Sequence, residues 1–303
     1  MRALAEHFVS APNWKWLILG YFFLAGISGG AYALGTMLRL FGQPRDEAAA
    51  RLAFYIAFPT LVVCPILLTA DLGRPDRFWH MLIDTGPAGG LNFKYWSPMS
   101  LGVWALQLYG LFTLVTFVDT LIRDGRLRGG LGDRLSALMA GPFGTAFTVA
   151  GSLLALFIAA YTGVLLSVSN QPVWSDTWSL GALFLASGMS GAAATVLLLS
   201  RWRAAASASE EKLARADSYF ILLEVALIVL FFATLAAGGA IATLFGGGWI
   251  LFWILVLACL IVPLLVHYRR WPASAPMSVA LTSIVVLVGV LALRAAVIFS
   301  AQT

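Results

Sequence analysis

The sequence predicts an all-α, polytopic integral membrane protein with eight transmembrane helices in two four-helix halves. Three observations predict it. First, the 303-residue chain is 60% hydrophobic and 11% charged, with a mean hydropathy of +0.89. Soluble domains carry about 25% charged residues, and a water-soluble fold has nowhere to bury this much apolar surface. Second, apolar runs of about 20 residues, enough to cross the hydrocarbon core, recur eight times. Third, the motif "GISGGA" (Gly26 to Ala31) returns as "GMSGAA" (Gly188 to Ala193) in the fifth run. Two parallel four-helix repeats produce that echo. The sequence is read as one membrane domain over 1–303, with its halves at about 16–168 and 178–300.

The runs fall near 16–40, 49–70, 97–122, 142–168, 178–200, 218–244, 248–267 and 277–300. The first lies between Lys15 and Arg39 and carries the glycine motif, whose small residues let helices approach closely in lipid. The second stops abruptly at Asp71. In "DLGRP", Gly73 ends the helix, Pro75 prevents its continuation and Arg74 caps free carbonyls. The third run ends near Asp119 and Arg123, and the fourth carries Tyr161. The fifth repeats the glycine motif. The sixth carries Glu224, the seventh ends at His267, and the eighth carries Arg294.

An even number of spans puts both termini on one side. Loops after the first, third, fifth and seventh runs hold thirteen Lys and Arg, from Arg39 and Arg45 through Arg126 to Arg269 and Arg270. The other face holds five: Arg2, Lys15, Arg74, Arg77 and Lys94. The positive-inside rule makes the richer face cytoplasmic. Both termini and the Asp71 cluster then lie outside, as in a bacterial or archaeal cytoplasmic membrane facing the periplasm. Trp14, Trp16, Trp96, Trp174 and Trp178 fit an aromatic belt at that boundary.

Several function classes drop out. The net charge of +5 is modest and sits in short loops, so it reports topology and not nucleic-acid binding. Cys64 and Cys259 lie inside apolar runs and read as free thiols, and there is no CxxC or ferredoxin-like spacing for an iron–sulfur cluster. The start, "MRALAEHFVSAPNWK", lacks a cleavable signal pattern. "GISGG" matches a Ser-nucleophile pattern, but that chemistry needs a strained turn and a histidine base. His7, His80 and His267 are not placed to activate Ser28 or Ser190. The same shortage of buried histidine argues against haem and zinc.

Ionisable groups inside a bilayer are expensive and are functional candidates for that reason. Asp71 closes the second run. Arg294 lies roughly 13 Å inside the outer end of the last, at 1.5 Å per residue. Tyr161 lies at a similar depth. A carboxylate, a guanidinium and a phenol at one level suit a polar head group that gives up protons. They equally suit a structural ion pair of Asp71 with Arg294 or Arg74, beside an anchored tyrosine. Glu224 and Asp119, in the inner half, suit a proton relay. Alternatively, Asp119 pairs with Arg123 at i+4 and Glu224 is hydrogen-bonded in the bundle.

Together, "TADLGRPDRFWHML" with "NFKYWSPMSLGVWAL", "YTGVLLSVSNQPVW" with "LFLASGMSGAA", and "RAAVIFSAQ" resemble the polysulfide reductase membrane subunit family (NrfD/PsrC). The resemblance spans nearly the whole sequence. It implies an eight-helix, quinone-binding subunit holding neither haem nor iron–sulfur cluster. Its implied partners are a ferredoxin-like four-cluster iron–sulfur subunit and a molybdopterin-type catalytic subunit. On it, Asp71 and Tyr161 belong to the site of a menaquinone or ubiquinone, Arg294 matches the last-helix arginine, and Ser28 and Gly29 occupy a region where some relatives place a histidine. Arg74, Arg77 and Lys94 then face the docked partner. The rival expectation is a secondary transporter for a small solute or ion. Its class usually shows broken helices with polar groups near the bilayer midplane. Here the ionisable groups cluster towards the two ends.

Overall fold

The computed structural model describes residues 13–86, 89–268 and 276–302; Arg2, His7, Arg269 and Arg270, which entered the charge and histidine arguments, lie outside the described residues. The protein is an all-helical polytopic membrane bundle. Its long helices are α1 (Trp16–Phe41), α2 (Glu47–Asp71), α3 (Pro98–Arg123) and α4 (Pro142–Ser167). They continue with α5 (Leu180–Ser200), α6 (Glu210–Gly238), α7 (Ile250–Tyr268) and α8 (Pro276–Ser300). Seven are long and apolar enough to cross a membrane, and α7 is a shorter apolar helix. At 19 residues α7 still falls within the range that spans a bilayer. We call the face carrying residues 72–97 the outer face.

Local chemistry sets the helix ends. Proline opens α3 and α4, where the missing N–H would have had no intrahelical partner. Ser97 also caps α3 by accepting from the Ser100 amide at 3.4 Å. The sixth helix departs most from expectation. It begins at Glu210, eight residues before the apolar run, and ends at Gly238. Its first turns, "EEKLARAD", are charged but strongly helix-forming, so the helix projects beyond the lipid. Gly239 ends it in the left-handed region at φ 80°, which a residue with a Cβ adopts at a cost. A short helix, Ile241–Phe245, fills the rest of that run, and another, Gly130–Ala140, lies in the inner loop before α4.

The end of α2 also differs from the DLGRP reading. Its cap is Leu72, and Pro75 opens a 3-10 turn over Pro75–Met81. Among the described residues the exposed Arg74 side chain bonds no carbonyl of α2.

α1 and α5 form the centre of the bundle. Of the apolar window of α1, 78% is buried, against 28% for α3 and for α6. α1 packs on α2, α4, α5 and α8, and α5 packs on α4, α6 and α8. The two glycine motifs cross here. A Cβ on Gly26 would lie 3.3 Å from the Gly188 Cα, and one on Gly188 would lie 3.0 Å from the Gly26 carbonyl oxygen. The matching serines then behave alike. Ser28 donates to the Ala57 carbonyl of α2 at 2.7 Å, and Ser190 donates to Asp217 of α6 at 2.8 Å. At the outer face the Trp14 amide donates to the Gln302 side chain at 2.8 Å, which brings the two ends of the described sequence together.

The inner face is stitched by charge. Asp46, before α2, binds Lys212 and accepts from Ser209 at 2.7 Å. Asp124, just past α3, accepts from Arg51 at 2.9 Å, Tyr55 at 3.0 Å and Arg203 at 3.3 Å. Partial burial pushes the Asp124 carboxyl up, but the Arg51 and Tyr55 hydrogen bonds and the Arg203 charge outweigh it and hold it below the usual range. At the outer boundary Trp16, Trp96 and Trp178 are exposed, as a lipid belt requires. Trp174 is not: it is fully buried, donates to the Val297 carbonyl at 2.8 Å and stacks under the half-buried Trp14. An indole N–H that finds a carbonyl inside the bundle no longer needs the interface.

Candidate functional site

A cavity of about 290 Å³ opens at the outer end of the first half. Its walls come from α1 (Ile18, Tyr21, Phe22), α2 (Pro65, Leu68, Thr69, Asp71), α3 (Met99, Gly102, Val103, Leu106, Gln107) and α4 (Tyr161, Leu165). Trp14 lies at its edge, and Leu72, Phe78, Met81 and Leu82 cover it from the outer loop. The lining is apolar except for a few convergent polar groups, the usual pattern of a small-molecule site.

Asp71 is the last residue of α2, half-buried on the cavity wall. Among the described residues it forms no ion pair and no side-chain hydrogen bond. The expected pairs with Arg74 and Arg294 are therefore not formed. Tyr161 is buried, and its hydroxyl donates to the Pro98 carbonyl at 2.7 Å. Gly102 makes that pose feasible: a Cβ there would sit 2.2 Å from the phenol oxygen. With its proton committed to Pro98, the Tyr161 oxygen keeps acceptor capacity.

Three polar wall residues, Tyr21, Thr69 and Gln107, were missed from the sequence. Tyr21 is 4% exposed, and among the described residues its hydroxyl has no hydrogen-bond partner. Gln107 likewise has a free carboxamide. The available signal was depth. At 1.5 Å per residue, Tyr21, Gln107 and Tyr161 all lie roughly 8–13 Å inside the outer ends of their helices.

The other expected site residues lie elsewhere. Arg294 shares the depth expected from the sequence with Asp71 and Tyr161, but it is fully buried and turned away from the cavity. It donates to Ser187 Oγ at 2.8 Å and to the carbonyls of Val290 (3.1 Å), Phe184 (3.2 Å) and Phe22 (3.3 Å). Phe22 is its one link to the cavity wall. Ser28 faces Tyr109, at 3.1 Å, and not the cavity. Gly29 packs so tightly on α4 that a Cβ would lie 2.4 Å from the Ala155 carbonyl oxygen. Arg74, Arg77 and Lys94 are exposed in the outer loop between α2 and α3, and their side chains form no ion pair among the described residues.

In the inner half the structure separates the two acids. Asp119 is buried and bound by Arg123 at 2.8 Å, with Arg39 at 3.9 Å. The i+4 ion pair holds Oδ2, while Oδ1 is buried without a hydrogen-bond partner among the described residues. Glu224 is buried with both carboxylate oxygens lacking a hydrogen-bond partner. Cys64 and Cys259 are free thiols. Among the described residues no group of three or more His, Cys, Asp or Glu gathers as for a metal ion.

Comparison with known proteins gives the family. The family described as "Polysulphide reductase, NrfD" matches residues 4–303. The protein belongs to that family. It is 29% identical over 205 residues to Protein NrfD of Escherichia coli, covering 64% of this sequence and 61% of that protein. It is 33% identical over 196 residues to the C polypeptide of the polysulfide reductase of Wolinella succinogenes, covering 61% and 57%. A shorter match, 30% over 110 residues, is to the C polypeptide of the selenate reductase of Mesobacillus selenatarsenatis, covering 36% and 23%. The matched stretches thus span less than two thirds of each relative's length.

Proposed function

We propose that this NrfD-family protein is the quinone-reactive membrane subunit of a respiratory oxidoreductase, and that the outer cavity holds the quinone ring. The observation carrying this reading is the cavity itself: an apolar chamber at one end of a membrane bundle, with Asp71 and Tyr161 on its wall. Relatives named as parts of polysulfide and selenate reductases support the class of complex. The chamber walls suit a flat, apolar ring with two oxygens at its edge. Tyr161 offers a lone pair to one hydroxyl, and Tyr21 offers a free O–H to an opposing oxygen. Asp71 sits where the bundle meets water and so can take a proton and hand it outward. The apolar lid of Phe78, Met81 and Leu82 keeps bulk water from the ring. A bound quinol supplies two electrons and two protons. The electrons are exchanged with a ferredoxin-like four-cluster iron–sulfur subunit docked over Arg74, Arg77 and Lys94, which connects to a molybdopterin catalytic subunit.

Trp14 lies against the cavity and provides the test. Adding a short-chain quinone to the protein in lipid nanodiscs should quench its fluorescence saturably, and Trp14→Phe should remove that component. Purification in mild detergent should also bring along a subunit absorbing near 400 nm, roughly where iron–sulfur clusters absorb. A protein that emerges alone and shows no saturable quenching is a transporter or something else.

A further inference from the structure

The inner face carries a second cavity, of about 520 Å³, that the quinone reading does not use. Glu47 and Arg51 of α2 line it, with Asp124 just past α3, Arg203 and Ala205 from the loop after α5, and Pro44 at its edge. Unlike the outer cavity, it is walled by charge.

The charges there do not balance. Each carboxylate on the wall is shared between two arginines. Glu47 accepts from Arg39 at 3.0 Å and from Arg51 at 3.2 Å, and Asp124 accepts from Arg51 at 2.9 Å and from Arg203 at 3.3 Å. Arg123 holds Asp119. Arg126 forms no ion pair among the described residues, and its guanidinium lies 5.7 Å from the Tyr55 ring, which Arg203 approaches to 4.5 Å. Five arginines (Arg39, Arg51, Arg123, Arg126 and Arg203) thus meet three carboxylates (Glu47, Asp119 and Asp124), which leaves two positive charges over. Around them Lys212 cancels Asp46, and the exposed Arg45 and Arg201 outnumber Glu210. Arg51 also keeps its Nη2 without a hydrogen bond among the described residues.

An excess of guanidinium on a cavity wall favours an anion with several oxygens, because a phosphate accepts from two forks at once. The level of the cavity in the bilayer points to its source. Arg51 lies one turn inside the start of a membrane-spanning helix. Phe41, which ends α1, and Trp202, which precedes Arg203, are 82% and 74% exposed, as aromatic side chains at a lipid–water boundary are. A phospholipid holds its phosphate at that level with its acyl chains beside the helices, and anionic lipids gather at basic pockets of this kind.

We propose that this cavity binds the phosphate of an anionic phospholipid of the inner leaflet, with Arg51 and Arg203 as its donors. The lipid neutralises the excess charge, and no covalent bond is made or broken. Because Asp124 joins α2 to the loop after α5 at this point, a bound lipid braces the two against each other. The site shares no residue with the outer cavity and stands whether or not that cavity takes a quinone.

A thermal-shift titration of the delipidated protein in mild detergent, extracted with its accompanying subunits, tests it. Dioleoylphosphatidylglycerol should raise the melting midpoint saturably, whereas dioleoylphosphatidylcholine and inorganic phosphate at the same concentrations should not. No rise with the first, or an equal rise with either of the others, overturns the assignment. Arg203→Gln leaves Asp124 its bonds to Arg51 and Tyr55, and should weaken the phosphatidylglycerol response about tenfold, the scale of one charge-assisted hydrogen bond. Arg134→Gln removes an exposed cation of the same face outside the cavity and should leave the response unchanged. An unchanged response in Arg203→Gln overturns the site, and equal weakening by both variants does so too, since it shows a diffuse surface charge. If Arg203→Gln does not fold, Ala205→Trp decides the matter. It fills the cavity and keeps every arginine, so the response must be lost, and an unaltered response overturns the proposal.

Discussion

Asp71 and Tyr161 share a cavity but differ in their partners. Asp71 has no competing cation, so its oxygens are available to a ligand and to outside water. Asp71→Asn keeps the size and removes the proton acceptor. We expect quinol-dependent electron transfer to be abolished while assembly persists; full turnover refutes the role. Tyr161 is anchored through its hydroxyl to Pro98. Tyr161→Phe loses that tether and an acceptor on the cavity wall. A hydrogen bond to a neutral group contributes roughly 0.5–1.5 kcal/mol, so affinity for a quinone-site inhibitor should fall about threefold to tenfold. Unchanged affinity in a direct titration removes Tyr161 from the site. Sequence pointed to both residues, because a carboxylate and a phenol near the ends of apolar runs are conspicuous. Tyr21 and Gln107 were not conspicuous, since aromatic and amide side chains also fit an ordinary interface or helix contact.

At the scale of the helices, close approach and charge stitching are separable. Gly26 faces both Gly188 and the Arg294 guanidinium, where a Cβ would come within 2.6 Å of Nη2. Gly26→Ala must push α1 from α5 or displace Arg294. Overpacking of this kind costs about 1–3 kcal/mol. A lowered thermal midpoint in detergent is expected, and an unchanged midpoint shows that the crossing is looser than these distances imply. On the inner face, Asp124 ties α2 through Arg51 to the loop after α5 through Arg203. Its carboxyl is held below the unfolded value of about 3.9. Its stabilisation is thus complete above that value and is lost as pH falls through the lower folded one. Asp124→Asn should therefore be less stable than the wild type at neutral pH. The two melting curves should converge below about pH 4; a gap that persists in acid assigns the loss to packing instead.

For the whole molecule, α1 to α4 line the cavity, while α6 carries the buried Asp217 and Glu224 and α8 carries Arg294, which bonds back to α1. The cations Arg74, Arg77 and Lys94 are exposed in the outer loop between α2 and α3. If an acidic iron–sulfur partner docks there, Arg74→Glu with Arg77→Glu should reduce its co-purification, and raised salt should weaken the wild-type complex in the same direction. Co-purification that ignores both changes moves the docking face elsewhere.

The sequence alone determined the solvent of this protein and which positions carry an ionisable cost. Those follow from composition and from the length needed to cross a bilayer, and both are properties of the polypeptide itself. It also placed the glycine motifs that cross at the centre, since close backbone contact admits no other residue. Only the tertiary structure decided which polar groups meet. These helices are apolar nearly all round, so nothing in their periodicity fixes how each turns about its axis; packing against neighbours fixes it. That rotation put Arg294 against Ser187 and three carbonyls instead of Asp71, turned Ser28 to Tyr109, and aimed Tyr21 into the cavity.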